Sequence, residues 1–145
     1  MIKINNLTKE DLKEFELEKL INFAVAFEEL DNVSFSVVLV NDEQMRGLNY
    51  QYRQKNKTTD VLAFALENKE DQINPPIRLL GDIYISVPQA KKQATEAGCE
   101  LIEELANLML HGFYHLLGWT HENEKDKEIM FQKQKEVLMK YGISK

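Results

Sequence analysis

A single cysteine, Cys99, stands in this 145-residue chain, so no internal disulfide can form, which fits a reducing compartment. Placed just after Gly98 and far from any histidine, it reads as a small buried residue. Prolines and glycines are few and scattered, and no linker, repeat or low-complexity tract divides the chain. The longest strongly apolar run, Val33 to Val40, is far too short to span a bilayer, and Met1 to Asn6 lack the apolar stretch of a signal peptide. Basic residues are in deficit, 18 against 24 acidic ones. The resulting net charge of -6 argues against broad attachment to nucleic acid or to an anionic membrane, while leaving room for a local basic patch. The expectation is a soluble cytoplasmic protein with one domain, residues 1–145, long enough to bury roughly two-thirds of its unfolded surface.

Histidine is also scarce, and its three copies are concentrated. His111, His115 and His121 all fall within the run His111-Gly112-Phe113-Tyr114-His115-Leu116-Leu117-Gly118-Trp119-Thr120-His121. Two histidines four apart share one face of a helix, Gly118 lets the chain leave that helix, and His121 can return as a third ligand. Three neutral imidazoles with an open fourth position describe a catalytic zinc site rather than a closed structural one. Zinc peptidases with this spacing carry a glutamate base directly after the first histidine, and here that position is Gly112. The bland alternative is a buried helix, since residues 105–117 are apolar almost all round. It would leave three buried imidazoles to be satisfied, each at ~1–3 kcal/mol if unpartnered.

The rest of the pattern predicts a small α+β domain: a mixed sheet of about four strands packed with about five helices. Strands are expected at residues 2–5, 33–40, 61–66 and 79–86. Thr8 with Asp11 predicts a helix to about Glu29 with Phe15, Leu20, Phe23, Val25, Phe27 and Leu30 on its buried side. Asn41 with Gln44 opens a second helix through about Arg53, with Met45, Leu48 and Tyr52 inward. Ser86, Pro88 and Gln89 cap a third that ends at Gly98. The histidine helix follows, then an amphipathic one from about Glu124 to Lys140. Residues 67–78, with Pro75-Pro76, read as an exposed loop.

Residues 46–57 hold Arg46, Arg53, Lys55 and Lys57 and no acid, so they form either a phosphate-binding patch or a solvated face. Arg53 stands out at a helix end, because its planar fork can hold a phosphate bidentately. Asp60 and Asp82 are candidates to orient a zinc-bound histidine from behind, although backbone hydrogen bonding explains a turn or strand aspartate equally well. Ser86 is a helix cap before it is a nucleophile.

In order along nearly the whole chain, Leu48-Asn49 with Tyr52-Arg53, Thr59-Asp60-Val61-Leu62-Ala63-Phe64, Gly81-Asp82-Ile83 with Ile85-Ser86, and the histidine run resemble the YbeY family of bacterial rRNA maturation factors, described as zinc-dependent endoribonucleases. The resemblance implies that His111, His115 and His121 bind one Zn2+ and that Arg53 is the functional arginine of the cleft. It implies work on 16S rRNA 3′ ends and ribosome quality control, with metal-activated water or the ribose 2′-OH attacking the phosphodiester. The expected partners are rRNA or the small ribosomal subunit, with a ribosomal protein or an assembly GTPase as further candidates; neither a membrane nor DNA is expected. Two departures stand out. Thr120 replaces an aspartate before the third histidine, leaving Glu122 or Asp126 as the nearby carboxylates, and Ala63 and Ala65 replace serine and proline in what reads as a structural strand. The rival readings are a non-catalytic ribosome-assembly factor with a largely structural zinc and, more remotely, a zinc peptidase or amide hydrolase.

Overall fold

The computed structural model describes residues 2–66, 78–119 and 123–142. The elements run β1 (Ile2–Asn6), α1 (Glu14–Phe27), β2 (Val33–Val40), α2 (Asp42–Arg53), β3 (Val61–Ala65), β4 (Arg78–Ser86), α3 (Val87–Ala97), α4 (Leu101–Leu116) and α5 (Glu124–Tyr141). The strands form one mixed sheet in the order β1-β2-β4-β3, parallel except for β3, which runs antiparallel to β4 at one edge. This is the expected α+β arrangement of four strands and, among the described residues, five helices. The loop expected at 67–78 lies outside the described residues up to position 77, and Arg78 already belongs to β4. None of the described helices is long and apolar enough to cross a membrane.

Strand alternation assigns the two faces of the sheet. Phe35, Val37, Leu39, Ile83 and Ile85 point into the main core with Leu17, Leu20 and Ile21 of α1 and Leu105, Met109 and Phe113 of α4. Val38, Val40 and Leu62 point the other way and are covered by Met45 of α2. That second cover explains why β2 alternates in burial at first and is then buried at every residue from Val37 to Val40. Between β2 and β4 the pairing slips by one residue, so that Ser34 faces Leu79 while Phe35 faces Gly81. Gly81 has φ +137°, and a Cβ there would lie 1.9 Å from the Phe64 carbonyl oxygen, so only glycine fits against β3.

Five local expectations need correction. Thr8 does not cap α1: its amide and hydroxyl both donate to Asn6 Oδ1, at 2.9 and 2.6 Å, and the helix starts only at Glu14. The Asn6 side chain competes successfully for those donors. Phe15 is 66% exposed, because the buried stripe of α1 is Leu17, Leu20, Ile21 and Ala24 at helical spacing, and Phe15 lies off it under the Lys19 ammonium. On α2 the inward position expected for Tyr52 belongs to Asn49, and Tyr52 is exposed against Phe64. Cys99 is half-buried rather than buried. The capping box of Asn41 and Gln44 is present in both halves, whereas Ser86 accepts from the Gln89 amide (3.3 Å) but the Gln89 side chain turns instead to Asp42.

Candidate active-site cleft

Helix α4 is buried along most of its length, and the residues that break the pattern in its last turns are His111 and His115. Their rings stand edge-on, 4.6 Å between centroids, with the two Nε2 atoms 3.1 Å apart. Two nitrogens bound to one tetrahedral zinc at 2.0–2.1 Å would be roughly 3.3 Å apart, so this pair fits a shared ion with little adjustment. Gly118, at φ +101°, ends the helix with its amide on the His115 carbonyl at 3.0 Å. His121 lies outside the described residues, as do Thr120 and Glu122. Among the described residues no group of three His, Cys, Asp or Glu side chains is placed to hold a metal.

Gly112, between the two histidines, lines the cleft with its backbone, while a side chain there would be directed at the sheet. A Cβ at this position would come within 2.6 Å of Ile83 Cγ2. The glycine therefore sets the close approach of α4 to β4, and a glutamate base in the peptidase position would collide with the sheet. That geometry weighs against the peptidase reading on steric grounds as well as chemical ones.

The histidines open onto a cleft of about 390 Å³ lined by Arg53, Asp60, Val61, Ala63, His111, Gly112 and His115. Arg53, from the last turn of α2, thus meets residues 58 and 62 positions away in sequence, across the β3 edge. Of the other cations, Lys55 and Lys57 are exposed on the turn that follows, and Arg46 lies roughly two helical turns back along α2, outside the cleft lining. Ala63, expected to matter only structurally, forms part of the cleft wall, whereas Ala65 pairs with Gly81.

Asp60 reaches the cleft but is engaged by the backbone amide of Val61 (2.8 Å) and by Gln93 Nε2 (3.1 Å). Gln93 was not legible as a site residue, because an amide on an ordinary helix carries no spacing signal. Asp82 is not brought to the histidines. Ile83 faces α4, so its neighbour faces the opposite side of the sheet, where Asp82 accepts from Ser36 Oγ at 2.5 Å and lines a separate hollow with Lys3 and Ser34. Asp126 sits in the first turn of α5, its amide held by the Asn123 cap (2.7 Å). Asp42 joins the starts of α2 and α3, accepting from Ser86 Oγ (2.7 Å), Thr58 Oγ1 (3.0 Å) and Gln89 Nε2 (3.3 Å). Burial alone would raise its pKa, but those hydrogen bonds and the Arg46 charge together hold it below the ordinary aspartate value.

A small α+β domain in which two imidazoles converge beside an arginine in an edge cleft presents the groups that a metal-dependent hydrolase would need. A family profile described as Endoribonuclease YbeY matches residues 3–142, and the chain belongs to this family. It is 42% identical to the Endoribonuclease YbeY of Geobacillus sp. (strain WCH70), over 97% of this chain and 93% of the relative. It is 46% identical to that of Bacillus licheniformis, over 90% and 86% respectively. The solution structure of a Thermotoga maritima protein superposes with a TM-score of 0.70 at 29% identity, covering 97% of this chain and 91% of that one.

Proposed function

We propose that this chain is a zinc-dependent endoribonuclease acting in the cytoplasm on 16S rRNA 3′ ends and in ribosome quality control, with residues 1–145 working as one metallohydrolase domain. The observation that carries the reading is the convergence of His111 and His115 in the cleft that Arg53 also lines. Relatives named endoribonuclease, matching nearly end to end, support the RNA chemistry.

In this reading His111, His115 and His121 hold the zinc. When bound, zinc supplies Lewis acidity toward a phosphoryl oxygen and lowers the pKa of water beside it to ~7. The chain's own residues do the rest. Arg53 grips the phosphate with its fork and stabilises the charge that grows on it. Val61 and Ala63 complete the lining of the cleft. Asp60, fixed by Gln93, adds a carboxylate that favours a cation in the cleft. The nucleophile is water or the ribose 2′-OH, and a 2′,3′-cyclic phosphate product end would identify the second route. The partner is RNA: rRNA or the small ribosomal subunit, with a ribosomal protein or an assembly GTPase alongside.

The test is cleavage of a precursor 16S rRNA fragment by identically purified wild-type, His115→Ala and Arg53→Ala proteins, with zinc measured on the same samples. Cleavage by wild type alone, with zinc retained in Arg53→Ala, is the expected result. Equal cleavage by all three identifies a contaminating nuclease. Zinc binding without cleavage by any of them selects a non-catalytic assembly factor and refutes the enzyme.

A further inference from the structure

The turn that leaves α2 carries Arg53, Lys55 and Lys57 within five residues, all exposed, yet its backbone is closely held. Gln54 adopts φ +57° and donates its amide to the Tyr50 carbonyl at 2.9 Å. The Lys55 amide reaches the Asn49 carbonyl at 3.4 Å, and the Lys57 amide reaches the Lys55 carbonyl at 2.9 Å. Asn49 itself is 3% exposed, and its Nδ2 donates to the Lys57 carbonyl at 2.9 Å. One buried residue therefore grips the backbones of both lysines, through its own carbonyl and through its side chain. One residue further on, Thr58 Oγ1 is tied to Asp42 at 3.0 Å.

Ending a helix does not require this. The Gln54 and Lys55 amides, donating to the Tyr50 and Asn49 carbonyls, already turn the chain out of α2 in a left-handed cap. The Asn49 amide reaches past them to Gln54-Lys55-Asn56-Lys57, a segment with no apolar side chain and nothing to add to the core. What it fixes is the backbone from which Lys55 and Lys57 project, two and four residues beyond the cleft-lining Arg53. Residues 46–57 include no acidic side chain to repel an incoming phosphate.

We infer that residues 53–57 form a preorganised binding turn for backbone phosphates of the RNA strand adjoining the one in the cleft, and that Asn49 is its positioning residue. This rests on the endoribonuclease reading above. A turn already in its bound shape loses little conformational freedom when it meets the strand, so two lysines can engage neighbouring phosphates together. A loosened turn would let them engage separately and less often.

The experiment measures the anisotropy of a fluorescein-labelled single-stranded oligoribonucleotide from the precursor 16S 3′ end. It is mixed with zinc-loaded protein over a salt series and read before cleavage accumulates. Each lost phosphate contact lowers the slope of log K against log salt by ~0.7 for single strands, so Lys55→Ala/Lys57→Ala should lower it by ~1.4. Asn49→Ala should lower it by ~0.7 or more, and should lower it no further when added to the lysine pair. Thr58→Val, which releases the neighbouring tie from a half-buried position, should shift the slope in the same direction and carries the test if Asn49→Ala does not fold. An Asn49 role confined to stability would weaken binding equally at every salt and leave the slope alone. That result, or an unchanged slope in Thr58→Val when Asn49→Ala fails to fold, overturns the positioning role. Wild type without salt-dependent binding overturns the endoribonuclease reading and the turn together.

Discussion

Gly112→Ala tests the geometry of the cleft through one methyl group. The new Cβ would lie 2.6 Å from Ile83 Cγ2, 3.2 Å from Cγ1 and 3.4 Å from Cδ1. Carbon atoms in favourable contact stand ~3.5–4.0 Å apart, so the nearest approach is about an ångström too short. Ile83 is fully buried in β4 and β-branched, and its Cγ2 cannot swing aside without a rotamer change inside a packed core. Replacing glycine by alanine within a helix is worth about 1 kcal/mol in propensity, whereas overpacking a core costs about 1–3 kcal/mol. The steric term should prevail by up to about 2 kcal/mol, lowering Tm by up to roughly 8 °C for a domain of this size. Activity should fall further than stability does. The helix that must move carries both His111 and His115, and a misplacement of about 1 Å in an active site can reduce rate by ~10²-fold. Thermal unfolding and RNA cleavage well below the melting temperature would measure both effects. Ile83→Ala removes the clashing carbons, so the double variant should lose less stability than the sum of the two single changes. A Gly112→Ala protein as stable and as active as wild type would refute this account of the glycine.

Zinc at about 100 times its Kd should stabilise wild type by ~2.7 kcal/mol, and His115→Ala should abolish that thermal shift while folding normally in the absence of metal. The Asp42 carboxyl is held below its ordinary value of 3.8, so its stabilising contribution is present above that pH and is lost as pH falls through the lower folded-state value. Asp42→Asn should therefore lose stability at pH 7 and flatten the acid limb of a urea-midpoint profile, whereas an unchanged limb would show that the network adds nothing. Gly81→Ala, whose Cβ would sit 1.9 Å from the Phe64 carbonyl oxygen at φ +137°, should break β3 away from β4 and give a protein that expresses poorly or melts far below wild type.

Much of the architecture was legible because periodicity is a local property. The β-branched run at Val33–Val40 gave a strand with those same bounds, and Asn41 with Gln44 gave a cap formed as expected. The spacing of His111 and His115 fixed their shared face before any fold was known, since 3.6 residues per turn brings positions four apart together. Where expectation failed, a competing partner or a better-spaced stripe prevailed, local in two cases and long-range in the third. Thr8 was drawn into the Asn6 turn, Phe15 was displaced by a better-spaced stripe, and the Gln89 side chain preferred Asp42 to its own cap.

The sequence by itself determined the helix, the histidine pair and the family pattern, because each depends on residues within a few turns of one another. Only the tertiary structure brought Arg53 and Asp60 to that pair, sent Asp82 to the opposite face, and gave Gly112 its packing role against Ile83. Those outcomes depend on which strand edges the helix crosses and how closely. Neighbours along the chain cannot specify that distance; the packing of two buried surfaces does.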